Sequence, residues 1–236
     1  MSAPKGSNVL AAELRRRILN GEFPEGTALP TERDLVEQTT LSRASVREAI
    51  RALEVQDLVT IRTGRSGGAF VHRPNSESMA ASVRLLIQGS RLGFSTLLEA
   101  REGIEPFCAL LAARHRTDDD LDELIAINDR LSQAADLENF LAANVDWHVA
   151  VAKASHNEII EGLMLALAPA IHTATDNEAF VDDEVMHNVA KAHTAVTRAI
   201  EKQNESSAER SMANHIHAYA VQITPVEVRT RIELDR

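Results

Sequence analysis

Apolar residues recur at helical spacing along most of this chain, and the stretch from Leu58 to Arg73 stands apart as extended. Val9 to Leu19 forms a first helical pattern, stopped by Gly21 and Pro24. Thr31 then reads as the N-cap of a short helix to Gln38, and after the polar turn Thr39-Thr40, Ser42 caps the next. In that next helix Val46, Ala49, Ile50 and Leu53 share one face, while Arg43, Arg47 and Arg51 follow at four-residue steps on the other. Leu58 to Arg62 and Ala69 to Arg73 read as two strands joined by the glycine-rich turn Thr63 to Gly68. The pattern predicts a three-helix domain with a helix-turn-helix and a two-stranded wing over residues 8–73.

Residues 74–78 read as a linker, and beyond them the helical period returns. It predicts about seven helices, at 79–91, 95–115, 118–134, 137–154, 157–173, 183–202 and 206–222, with a kink near Gly103 and Pro106. Thr117 with Asp120 and Ser206 with Glu209 read as helix starts. The fold class is therefore mainly α: a winged helix-turn-helix followed by an all-α antiparallel bundle over 79–223. No glycine-rich phosphate loop and no nucleophile elbow is present.

The first domain has a clear chemical use. An α-helix fits the major groove with its N-terminal residues at the base edges, where Arg guanidinium can pair bidentately with guanine. Arg43 and Arg47 are placed to read bases, Ser42 and Ser45 to donate to phosphate or base, and Arg33 to hold the backbone. Arg65, Ser66 and Gly67 lie at the wing tip, where glycine permits close approach. The alternative, a solvated arginine face, suits an isolated helix better than one flanked by a turn and a wing.

Charge supports that division. The chain carries net −10, but residues 1–73 hold 11 Lys and Arg against 9 Asp and Glu, so the acidic excess belongs to the second half. Aromatics are 3% of the chain, which argues against a base-stacking single-strand binder. One cysteine, Cys108, excludes an intramolecular disulfide and reads as core. With no signal peptide pattern and no membrane-spanning run, a cytoplasmic protein without membrane contact is expected.

The polar residues of the second half fall in telling places. Asn144 and His148 share the apolar stripe of Leu141, Val145 and Ala152; His193 sits within that of Val189, Val196 and Ile200; His215 lies beside Met212, Ile216 and Tyr219. Asp146, two positions from His148, faces elsewhere, and His217 points away from His215. Three imidazoles sent towards one core could each find a separate hydrogen bond, or could share a divalent cation, for which imidazole is a common ligand. Arg101 could pair with Glu105 one turn on.

Two resemblances bear on these alternatives. Gly26-Thr27-Ala28-Leu29-Pro30-Thr31-Glu32-Arg33-Asp34-Leu35, then Leu41 to Leu53, then Leu58-Val59, resembles the winged helix of GntR-family transcription regulators. Asp57 stands where that family usually has glycine, and Asp can take the left-handed conformation required. Glu99-Ala100-Arg101, Glu105-Pro106, Trp147-His148, Ser155-His156-Asn157, His193 and His215 resemble the FCD effector domain of the FadR subfamily. The resemblance implies that Arg33, Arg43, Arg47, Ser66 and Gly67 meet operator DNA, and that Asn144, His148, His193 and His215 hold a divalent metal ion such as zinc. It also places Arg101 in an effector pocket. Asn144 departs from the family's Asp, leaving a less negative site.

The expected function is a homodimeric regulator, in this family usually a repressor, of double-stranded operator DNA, controlled by a small carboxylate at a metal site. A metal-dependent enzyme fused to a DNA-binding domain, or a regulator with a purely structural metal, are the alternatives. The enzyme reading lacks a positioned general base.

Overall fold

The computed structural model describes residues 5–64, 67–90, 93–175 and 181–223. The chain divides into two compact units between Asn75 and Ser76.

In the first unit, α1 (Gly6–Leu19), α2 (Glu32–Thr39) and α3 (Arg43–Val55) precede β1 (Val59–Arg62) and β2 (Gly68–Val71). The start of α2 is fixed by a reciprocal pair: Asp34 N–H donates to Thr31 Oγ1 at 3.2 Å, and Thr31 N–H donates to Asp34 Oδ2 at 3.2 Å. Ser42 caps α3 as expected. Asp57 ends it at φ 57°, while Leu58 N–H bonds Leu53 carbonyl at 3.0 Å, so Asp does take the left-handed place after the helix. Leu14, Ile18, Leu35, Val46, Ala49, Leu53 and Val71 form the core. The two wing strands pair antiparallel, Val59 with Val71 and Arg62 with Gly68. The segment before α2 adds to them: Leu29 N–H bonds Ala69 carbonyl and Val71 N–H bonds Thr27 carbonyl, each at 2.8 Å. That third edge was not foreseen, because Pro24, Gly26 and Pro30 break the run to too few residues to show a strand period.

The described elements of the second unit are helices: α4 (Ser76–Ser90), α5 (Phe94–His115), α6 (Asp118–Ser132), α7 (Leu137–Lys153), α8 (Glu158–Thr175), α9 (Asp183–Glu201) and α10 (Glu205–Ile223). Two expectations need correction. Residues Ser76 to Ser78 belong to α4 rather than to a linker. Ser76 Oγ donates to Glu161 Oε2 at 2.9 Å, and the helix passes so close to Gly162 that a Cβ there would meet Ser76 O at 2.9 Å. The start of α10 is capped by Asn204, whose Oδ1 accepts Ser207 N–H at 3.0 Å, and not by Ser206 with Glu209. Asn is as good a cap as Ser, and the two candidates stand two residues apart. Thr117 and Asp120 do form the box that starts α6.

α5 runs as one helix through Gly103 and Pro106 and packs against α7, α8, α9 and α10. The bundle core gathers Cys108, Ala112, Trp147, Val151, Met164, Ile171, Val196, Ile200, Met212 and Ile216 around it. Among the described residues, no helix is long and apolar enough to cross a membrane.

Candidate functional site

The N-terminal end of α3 is held by Ser42, whose Oγ accepts Ser45 N–H at 3.1 Å and lies 3.0 Å from Ser45 Oγ. With Val46, Ala49, Ile50 and Leu53 buried, Arg43, Arg47 and Arg51 stand exposed on the opposite face. Arg47 Nε donates to Glu32 Oε2 at 2.8 Å, so one of the expected base-reading arginines is paired with α2. Arg33 is exposed and 3.8 Å from Asp34. At the wing, Gly67 N–H bonds Gly64 carbonyl at 2.9 Å, and a Cβ on Gly67 would collide with the carbonyl of Arg62; the turn itself requires glycine. Arg65 and Ser66 lie outside the described residues.

In the second unit α7, α9 and α10 bring three imidazoles together. His148, His193 and His215 are buried, and each offers a ligand-capable nitrogen within 4.8 Å of the others. His193 Nε2 lies 3.1 Å from His215 Nε2, and the His148 and His215 rings stack with centroids 5.3 Å apart. Burial is the leading reason that all three bind protons less readily than an ordinary histidine. His215 is brought down to about 3, His193 lies well below its usual value, and in His148 the pull of Glu105 offsets burial only in part. The cluster is neutral at neutral pH.

Trp147 braces it. Its indole stacks on His193 at 3.8 Å between centroids, and Nε1 donates at 3.1 Å to Thr197 Oγ1, which also accepts Asn128 Nδ2 at 2.8 Å. Thr197 stands one turn beyond His193 on α9, so indole and imidazole are tied to the same helix.

From α5 come Arg101 and Glu105. Arg101 Nε donates to Glu105 Oε1 at 2.5 Å, its η2 nitrogen lies 3.3 Å from His148 Nε2, and its guanidinium sits over the Tyr219 ring at 5.2 Å. The one-turn pair anticipated from spacing is therefore made, but inside the protein: the side chains are 2% and 1% exposed. Glu105 Oε2 reaches to 2.5 Å from His148 Nδ1, off the line of an ideal N–H···O bond. Burial raises the Glu105 carboxyl, but Arg101 foremost and then His148 outweigh it and bring it down to about 2.

Asn144 is buried one turn before His148. Asp146 faces away and accepts Arg130 at 2.8 Å, and the exposed His217 lies 3.6 Å from Glu102. A cavity of about 310 Å³ runs between α9 and α10, lined by Val189, Ala192, Ser211, Asn214, His215 and Tyr219 among others.

The donor set fits a divalent cation. Three neutral imidazoles in a desolvated pocket present lone pairs, and His193 Nδ1 is buried without a hydrogen-bond partner among the described residues. An amide oxygen at Asn144 would add a neutral ligand of the same hard type as carboxylate.

Residues 7–71 match the family described as bacterial regulatory proteins, gntR family, and residues 96–218, more than half of the chain, match the FCD domain. This chain is a GntR-family regulator with an FCD domain. The chain is 29% identical over 226 residues to the HTH-type transcriptional repressor NanR of Escherichia coli strain K12 and to that of Shigella flexneri, covering 92% of this chain and 84% of each relative. Its fold is similar to that of Streptococcus agalactiae GntR, with a TM-score of 0.64 and 24% identity over 90% of this chain and 98% of the other. The families and relatives are transcription regulators, so this GntR-family protein is a DNA-binding regulator and not an enzyme.

Reasoning from sequence gave Glu105 no role beyond pairing with Arg101, quoted Trp147 only within a family motif, and passed over Thr197. A signal existed for the first. Leu97, Leu98, Arg101, Glu105, Cys108, Ala109 and Ala112 follow one stripe of α5, so both charges fall on the apolar face. Nothing in the spacing links Trp147 to Thr197, which are fifty positions apart.

Proposed function

We propose that this regulator is a repressor that binds a short pseudo-palindromic operator as a homodimer, and that a small organic acid bound at a metal site in the FCD domain controls its operator affinity. The observation that carries the reading is the convergence of three buried, neutral imidazoles beside a buried arginine. The name of the relatives as repressors supports the direction of control.

Arg43 and Arg47, with Ser42 and Ser45, would meet bases and phosphates from the start of α3; Arg33, Arg65, Ser66 and Gly67 would meet the backbone or groove. Two-fold symmetry of the protein would match two half-sites. His148, His193 and His215, with Asn144 as a fourth donor, would hold a divalent ion such as zinc. When bound, the cation supplies a fixed positive charge for an acid's oxygen atoms. Arg101 gives Nε to Glu105 and rests Nη2 at 3.3 Å from His148 Nε2; Nη1, and Nη2 once a cation takes that imidazole nitrogen, would face the same carboxylate. The nearby cavity beside His215 and Tyr219 offers room for a hydroxy, keto, sugar or amino acid. Such a ligand alters DNA binding only through different affinities for the DNA-competent and DNA-incompetent arrangements.

The test begins with metal content. Purified protein is expected to carry about one zinc-like ion per chain. A thermal-shift screen of small carboxylates should find a stabilising acid in metal-replete protein, and the same acid should change operator affinity. Metal-free protein that resists loading, or an acid that stabilises His193→Ala equally, would remove the metal from sensing. Metal-dependent DNA binding indifferent to every acid would leave the ion a structural part.

A further inference from the structure

We propose that Glu105 is the positioning residue of the histidine cluster: its carboxylate fixes the tautomer of His148 so that Nε2, and not Nδ1, carries the lone pair available to a metal. Two contacts point to the same tautomer. Arg101 can only donate, so the approach of its η2 nitrogen to His148 Nε2 at 3.3 Å requires an unprotonated Nε2. The proton is then on Nδ1, and there Glu105 Oε2 stands at 2.5 Å, in reach of the proton though out of line for a hydrogen bond as the rings are placed. Glu105 is itself immobilised, since its other oxygen accepts Arg101 Nε at 2.5 Å and its side chain is fully enclosed in the bundle.

The arrangement distinguishes His148 from its neighbours. Neither His148 Nδ1 nor His193 Nδ1 completes an in-line hydrogen bond among the described residues, but His148 Nδ1 has a carboxylate oxygen 2.5 Å away, whereas His193 and His215 meet through their Nε2 atoms. Of the three rings, His148 is the one whose outer nitrogen faces a carboxylate among the described residues. A carboxylate behind a ligating imidazole orients the ring and raises its basicity, and losing such a partner weakens metal binding about 10- to 100-fold. Glu105 also brings negative charge to a cluster whose other side chains are neutral or, in Arg101, cationic. The same residue therefore holds Arg101 by Nε and turns its remaining donors towards the cluster.

This inference rests on the proposed metal site for its consequence but not for its geometry, and two measurements separate them. Long-range ¹H–¹⁵N correlation on metal-free full-length protein reads the tautomer of His148 directly; an Nδ1–H form is expected, and an Nε2–H form overturns the assignment without any metal. Zinc affinity by competition with a chromophoric chelator should then fall at least about tenfold in Glu105→Gln. Glu102→Gln, on an exposed carboxylate of the same helix, should leave it unchanged. Zinc binding by Glu105→Gln within about twofold of the wild type overturns the proposal. If the wild type binds no zinc, the proposed function fails and the tautomer alone decides the role of Glu105. If Glu105→Gln does not fold, the wild-type tautomer again decides.

Discussion

In the proposed role Arg47 must leave Glu32 to read a base, and that competition can be measured. The pair is a single 2.8 Å contact between side chains 64% and 42% exposed, so its worth is about 0.2 to 1 kcal/mol. A good bidentate contact to a base discriminates by about 1 to 3 kcal/mol, so the base wins. Glu32→Gln should therefore tighten operator binding, by at most about fivefold. Arg47→Ala should weaken it by about 5- to 150-fold. The decisive quantity is the coupling. Removing a carboxylate near phosphate helps any DNA-binding surface, but the part due to Arg47 must vanish when Glu32→Gln is made in Arg47→Ala. Fluorescence anisotropy at fixed salt, on a site selected from random DNA, gives all four affinities. Equal gains from Glu32→Gln in both backgrounds, or an Arg47→Ala protein with undiminished operator affinity, would refute the assignment of Arg47 to base reading.

Other consequences follow from the bundle and the caps. Trp147 is the single tryptophan of the chain and stacks on His193, so zinc titration should change its fluorescence and a chelator should reverse the change. Trp147→Phe should lose about 2 to 3 kcal/mol in urea denaturation, from a missing hydrogen bond and a smaller ring. Thr197 is spared the larger penalty of an orphaned acceptor because Asn128 still donates to it. Metal-free protein should weaken on acidification. His215 takes up its proton near 3 when folded and near 6.5 when unfolded, so the unfolded chain binds more protons between those values and stability rises with pH across that window. Its contribution is complete above pH 6.5, and about 2 kcal/mol of it should be gone at pH 5; a flat urea midpoint between pH 7 and 5 would contradict the neutral cluster. Thr31→Ala should lose about 1 kcal/mol, since it removes the oxygen that accepts Asp34 N–H.

Much of this fold lies on the surface of the sequence. The arginine and apolar faces of α3 separate at helical spacing, and Ser42 and Thr31 cap where their residue type says they should. The seven helices of the second unit follow from period alone, as does the burial of His148, His193 and His215 on three separate stripes. Their convergence does not follow from period, because it depends on how α5 packs against α7, α9 and α10. The same holds for Glu105. Spacing pairs it with Arg101, but only packing places its second oxygen against His148. The boundary at Ser76 was misplaced because Pro74 and the polar run after it read as a linker, while the contact of Ser76 with Glu161 is tertiary.

In the proposed function, metal, acid and operator are coupled through one site. The most direct measurement is calorimetric titration of the stabilising acid into zinc-replete and zinc-stripped protein, each with and without operator DNA. Binding should require zinc, be lost in His193→Ala, and be shifted by operator by the same factor by which the acid shifts operator affinity. Acid binding of equal strength in zinc-stripped protein, or unaltered by operator, would contradict it.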